Sequence, residues 1–107
     1  MLLKVFIDGH EDTIKVPDNI ITDAADYFNM MDTDMNRGYQ MSRSWVESPD
    51  LYQKCQIAAD HILTAMETHN DKTATLMAAY ILNRVPNASA IYLDLTGDMN
   101  EHEIVAE

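Results

Sequence analysis

Residues that staple, kink or cross are scarce in this chain. One cysteine, Cys55, leaves no internal disulfide to form. The three glycines, Gly9, Gly38 and Gly97, lie far apart, so no glycine-rich phosphate loop exists. No apolar run approaches the roughly 18 residues of a membrane span. The opening stretch MLLKVFIDGHED turns acidic after a short apolar segment, unlike the long core of a secretory leader. The expectation is a cytoplasmic protein, in which the glycosylation triplet Asn87–Ser89 has no use. Basic residues are also few: seven Lys and Arg stand against 18 Asp and Glu, for a net charge of −11. A field of that sign repels nucleic acid and acidic lipid headgroups and attracts basic partners. Direct nucleic-acid binding and membrane binding are therefore not expected.

What is present suits one domain over residues 1–107, with 47% hydrophobic residues to build a core. The acidity sits at the two ends. Asp8 to Asp34 holds eight acids and one base, Asp94 to Glu107 holds five acids and none, and Met35 to Leu93 is balanced. Residues 97–107 read as a mobile acidic tail in which Ile104 and Val105 can dock as a short strand.

LKVFIDGHEDTIKV alternates apolar and polar residues twice and reads as a hairpin. Setting Ile7 against Ile14 puts Val5 against Val16, with GHED as the loop. A first helix is predicted from Asp18 or Asn19 to about Asn36. Ile21, Ala24, Ala25, Phe28, Met31 and Met35 form its apolar stripe, and Asp23, Asp26, Met30 and Asp34 lie opposite. Asp32 breaks the pattern: at about 100° per residue it falls on the apolar side and needs a partner. A second helix starts at Ser48-Pro49-Asp50, with Ser48 as its cap. A third starts at Asn70-Asp71 and contains the stretch ATLMAAYIL, apolar nearly all round. Such a helix is covered on several sides, by its own domain or by a second copy in a homodimer. AIYLDLT reads as a return strand with Ile91, Leu93 and Leu95 inward. The predicted fold is α+β in the order β-β-α-α-α-β, a small three-stranded sheet with helices on one face.

One stretch, YFNMMDTDMNRGYQM, places Asp32, Asp34 and Asn36 at alternate positions, as a calcium loop does. The match then fails. Arg37 stands where the loop needs glycine, and Arg43 stands where it needs a bidentate glutamate. Asp34 can instead pair with Arg37 along the helix. Cys55 lies mid-stripe on the second helix and reads as core. His10, His61, His69 and His102 share no ligand spacing, so no metal is assigned. Met30, Met31, Met35 and Met41 fill core or surface. No nucleophile with a base and no cofactor motif is present, so no cofactor and no catalysis are expected.

Two groups of residues remain. Asp32, Arg43 and Arg84 are candidates for buried polar groups. Asp32 would take its donor from Arg43, from the hydroxyls of Ser42 or Ser44, or from Arg84, and Arg84 would meet Asp32 or an acid near Asp94. A small polar site around the three would be that of an accessory factor or enzyme. Asp23, Asp26, Met30 and Asp34 form an exposed acidic face with a methionine in it, a surface suited to a basic protein partner. The leading expectation is an adapter or regulatory module that binds another macromolecule. The alternative is an inhibitor that mimics nucleic-acid charge in a basic groove.

Overall fold

A computed structural model describes residues 1–107. The chain begins with β1 (Leu2–Ile7) and β2 (His10–Lys15), then α1 (Asp18–Asp23) and α2 (Ala25–Asn36). Two short strands follow, β3 (Tyr39–Met41) and β4 (Ser44–Val46), then α3 (Leu51–Glu67) and α4 (Asp71–Arg84). The chain closes with β5 (Ala88–Leu93), a 3-10 turn at Met99–Glu101 and β6 (Glu103–Ala106). The fold is α+β; the predicted elements occur in the predicted order, with the first helix divided in two and a β3–β4 hairpin inserted after it. The main sheet has four strands in the order β2-β1-β5-β6, not three. β5 runs parallel to β1, and β2 and β6 run antiparallel to their neighbours. The fourth strand comes from the acidic tail, where Ile104 faces Ile91.

The first hairpin turns more tightly than the hydrophobic pattern implied. Leu3 faces Ile14 and Ile7 faces His10, so the loop is only Asp8-Gly9. Both loop residues have positive φ, 48° and 81°, as a two-residue turn with the twist of the strands demands. The register differs from the predicted one by four positions. An even slip keeps every side chain on its face, so Leu3, Val5 and Ile14 still point toward the helices. Leu3 and Val5 are fully buried.

The predicted first helix is two helices. Ala24 (φ −90°, ψ 13°) separates α1 from α2. The β-branched run Ile20-Ile21-Thr22 is a poor helix former. The break also lets the Asn83 side-chain amide donate to the Ile21 carbonyl at 2.8 Å. Asp23 is thereby placed on a different helix from Asp26, Met30 and Asp34. The cap of α3 is Asp50, not Ser48. The Asp50 carboxylate accepts from the Gln53 backbone N–H (2.8 Å), and the Gln53 side chain accepts from the Asp50 N–H (2.9 Å). A charged acceptor at a positive helix end outcompetes a hydroxyl. Asn70 caps α4, as predicted.

Met77, Ala78, Ala79, Tyr80, Ile81 and Leu82 of α4 are all buried. Helices α1 and α3 and strand β2 cover them from three sides. Most of the apolar circumference is thus covered inside the chain, while Thr75 and Leu76 stay part-exposed beside Ile20. Leu93 is buried as expected, but Leu95 lies past the strand end and is 54% exposed. No helix is long and apolar enough to cross a membrane.

The β3–β4 hairpin had no expected counterpart. Its turn is Ser42-Arg43, with Ser42 in the left-handed region (φ 61°). The Ser42 hydroxyl donates to the Gly97 carbonyl (3.1 Å) and accepts from the Met99 N–H (2.9 Å), which ties this hairpin to the tail. Gly38, at φ 106°, enters the hairpin with the ring of Trp45 lying over its Cα. A Cβ there would collide with the ring. Gly38→Ala is expected to cost about 1–3 kcal/mol through left-handed strain and displaced indole. Because Trp45 is the only tryptophan, the displacement will appear as a change in native-state fluorescence. An unchanged emission spectrum and melting temperature would show that the indole is not seated on Gly38.

Candidate functional site

The densest polar cluster lies where α2, α3 and α4 meet. Asp32 does face inward, and Arg84 is its partner. Arg84 Nε donates to Asp32 Oδ2 at 3.0 Å and its terminal nitrogen approaches the same oxygen at 2.8 Å. The buried Tyr80 hydroxyl donates to Asp32 Oδ1 at 2.5 Å. Lys54 Nζ stands 4.0 Å from that oxygen. The rest of the guanidinium is used as well, by the side-chain oxygens of Asn83 (2.6 Å) and Asn29 (2.8 Å). The guanidinium carbon also lies 5.5 Å from the centre of the Tyr80 ring, a cation–π arrangement.

Helix periodicity explains the convergence. Tyr80 and Arg84 are one turn apart on α4, and Lys54 on α3 faces the same seam. Burial, followed by the bond to Asp32 and its charge, pushes the Tyr80 hydroxyl well above the usual phenolic range. Burial also raises the Cys55 thiol to about 11; the Asp32 charge adds to this and Arg84 opposes it. A thiol so protonated and so enclosed is inert, as a core cysteine should be.

This cluster is closed. No buried side-chain nitrogen or oxygen lacks a partner. The four principal surface cavities are lined by other residues. Arg43 is absent from the cluster. The β3–β4 turn carries it to the surface, where it borders a polar cleft with Ser42, Thr96, Gly97 and Asp98. Proximity in sequence misled here, because strand β3 lies between α2 and Arg43 and carries it to the far turn of a hairpin. The three-residue site of Asp32, Arg43 and Arg84 is therefore a two-residue pair completed by Tyr80. Nothing in the sequence singled out Tyr80 as a donor, since a tyrosine within an apolar helix reads as packing.

The calcium-like spacing has no loop behind it. Asp32, Asp34 and Asn36 all lie within α2, and Asp32 turns away from the other two toward Arg84. Asp34 makes no side-chain ion pair with Arg37; the backbone of Arg37 caps the helix instead, donating to the Asp34 carbonyl (3.3 Å).

A second polar cluster was hidden by its flanking charges. His102, between Glu101 and Glu103, reads as a surface residue, yet it is 1% exposed. The 3-10 turn at Met99–Glu101 rotates it inward. Its Nδ1 accepts from the Asp94 backbone N–H at 2.9 Å, so the ring proton sits on Nε2 and is donated to Asp60 Oδ1 at 3.1 Å. Gln56, also buried, donates to the carbonyls of Asn100 (2.9 Å) and His102 (3.0 Å). These bonds clamp the tail onto α3. Nearby, the Tyr39 hydroxyl and His61 Nε2 are 3.2 Å apart. Burial, and then the Asp60 charge, raise the Tyr39 hydroxyl above its ordinary value. Both ring nitrogens of His102 are occupied, one by the Asp94 backbone and one by Asp60. No group of three or more His, Cys, Asp or Glu side chains converges as a metal site.

The exposed acidic face remains. Asp26, Met30 and Asp34 follow one another at i, i+4 and i+8 along α2, and all three are exposed. Met30 is 54% exposed and its neighbour Tyr27 42%. Asp23 is exposed too, at the end of α1. None of these acids is within ion-pair distance of a base. No protein-family model, no curated protein and no solved structure matches the chain.

Proposed function

We propose that this chain works by binding another protein that carries a basic surface, through the α2 ridge of Asp26, Met30 and Asp34, with Asp23 beside it, and that it has no catalysis of its own. The observation that carries this reading is an exposed methionine held between two unpaired carboxylates one helical turn to either side. A methionine in water gains from burial and adapts to varied apolar partners. Unpaired acids around it favour cationic neighbours and penalise acidic ones. The presence of Met30 within the ridge also favours a protein partner over charge mimicry, which uses acids alone.

The test is a paired affinity capture from the native cell, comparing the natural chain with an Asp26→Lys, Asp34→Lys variant and with Met30→Ala. Partners of the ridge are basic, are retained by the natural chain, and bind the charge-reversed variant at least about tenfold more weakly. Their retention also falls as salt rises. An identical set and strength of partners for all three proteins would refute the ridge as the binding surface.

A further inference from the structure

Strand β2 is the edge of the main sheet, and its outer side is open. Val16 and Met1 exchange backbone bonds at 2.7 and 2.8 Å. Bonding alternates along an antiparallel pair, so Ile14, Asp12 and His10 also point their N–H and C=O groups toward β1. Glu11, Thr13 and Lys15 point theirs away, at the free edge. Alongside this edge runs a groove of about 360 Å³, lined by Asp12, Ile14, Met66, Asp71, Ala74 and Thr75, among others. One wall is β2 and the other is the first half of α4. The groove has an apolar floor, from Met66, Ala74 and Ile14, two acids, Asp12 and Asp71, and one base, Lys15. Neither acid is within ion-pair distance of a base.

We propose that the free edge of β2, together with the groove between it and α4, receives an extended basic peptide segment as a fifth strand of the sheet. The backbone of Glu11, Thr13 and Lys15 supplies the ladder, which is insensitive to sequence. The groove supplies the selection. Asp12 faces Val5 across the hairpin and so shares the helix-side face, although it is exposed. An acid on that face of an edge strand discourages pairing with neutral or acidic strands. It accepts a strand that brings a lysine or arginine to the same place. A residue of the guest strand opposite Ile14 meets an apolar floor, so the guest alternates an aliphatic and a basic residue on its groove side. On the outer face, Glu11 favours a second base and Lys15 an acid or hydroxyl.

A second copy of this chain fits less well. An antiparallel β2–β2 pair centred on Thr13 would match each Glu11 with the other copy's Lys15. It would also crowd two Asp12 and two Asp71 side chains into one groove between molecules of net charge −11 each. The edge shares no residue with the α2 ridge and stands independently of it.

The probe is the acetylated and amidated peptide Thr-Glu-Val-Thr-Lys-Lys-Thr. Lying antiparallel to β2, it sets its valine opposite Ile14 and its first lysine opposite Asp12. Its control replaces both lysines with glutamate. Amide hydrogen exchange followed by NMR reads the ladder directly. The amides of Glu11, Thr13 and Lys15 exchange freely in the protein alone, and each should slow by about tenfold or more when the lysine peptide is in excess. The glutamate peptide should leave them unchanged. Thr13→Pro removes one edge N–H without touching a bond to β1, so it should fold normally and lose the protection. If that variant does not fold, Asp12→Lys is the second: it should bind the lysine peptide several-fold more weakly and gain affinity for the glutamate peptide. No protection at millimolar peptide would overturn the proposal, as would protection elsewhere, or unchanged binding by a folded Thr13→Pro. Protection of the same three amides in the protein alone, growing with concentration alongside a doubled mass, would make the occupant a second copy and likewise overturn it.

Discussion

Asp32→Leu is expected to lower the stability of the fold by about 3 kcal/mol, the low end of the cost of stranding a buried charge, because the Asp32 and Arg84 side chains keep 24% and 20% of their exposure. The substitution strands two donors at once. Arg84 is held over the Tyr80 ring by its packing, and the Tyr80 hydroxyl is fully buried with no other acceptor nearby. Arg84→Leu should cost less, because Asp32 keeps the Tyr80 bond and has Lys54 at 4.0 Å to offset its charge. Tyr80→Phe should cost least, about 1.5 kcal/mol, the low end for a hydrogen bond to a charged group, since both Arg84 contacts to Asp32 survive. The ranking follows from the number of orphaned groups, not from the number of bonds deleted. In the double variant Asp32→Leu, Arg84→Leu neither charge remains, and part of the loss should return. Recovery will be incomplete, because leucine replaces neither the bonds from Arg84 to Asn29 and Asn83 nor its stacking on Tyr80. The measurement is urea unfolding of the natural chain and the four variants, with stability taken from midpoints at constant slope. Strictly additive losses would mean that the pair seen in the structure carries no coupling energy.

The inward turn of Asp32 and the placement of Arg84 near it were both legible, because helical periodicity needs only the sequence numbers. Arg84 lies one turn after Tyr80, and Asp32 breaks an otherwise regular stripe. The partner chosen by nearness in sequence, Arg43, was wrong for a physical reason. The strands of the β3–β4 hairpin are three residues long, too short to show alternation, so the chain between α2 and α3 read as a loop able to fold back. Its turn instead depends on Ser42 accepting a left-handed conformation and bonding to the tail, a long-range arrangement with no local signature.

Register was only half legible. Hydrophobic alternation fixes which face each residue of β1 and β2 presents, but it cannot choose between registers that differ by an even number. Turn chemistry chooses, and the dipeptide Asp8-Gly9 is the signal that selects the two-residue loop. The same division applies to the tail. Ile104 and Val105 marked a strand, but the burial of His102 followed from the 3-10 turn before it, and acidic neighbours on both sides disguised it. The split between α1 and α2 rests on Ala24, a residue that by itself favours helix. The β-branched run before it only weakens the helix; the demand of Asn83 for the Ile21 carbonyl, a contact across 62 positions, places the break.

Raising the pH above 9 is expected to destabilise the protein in two steps, the first from Cys55 and the second, above pH 10, from Tyr80 with Tyr39 adding to it. The Cys55 thiol titrates at 9.0 when free and at about 11 in the fold. A folded value above the unfolded one means that the native state holds its proton longer. The stabilisation is therefore intact below pH 9 and is lost as pH climbs from 9 toward 11. The slope approaches about 1.4 kcal/mol per pH unit and the total about 2–3 kcal/mol. Tyr80 acts in the same direction from its ordinary value of 10.0 upward, because its phenolate would face the Asp32 carboxylate in a dry site. Between pH 9 and 10 the thiol step stands alone. Cys55→Ala will lower stability by a constant packing term, yet its stability should be flat across that unit while the natural chain falls. Tyr80→Phe should keep the fall between 9 and 10 and soften the one above 10. The check is a series of urea midpoints from pH 8 to about pH 11 on the three proteins. If Cys55→Ala falls as steeply as the natural chain between pH 9 and 10, the thiol is not held protonated by its burial, and the seam around Asp32 is wetter than its geometry implies.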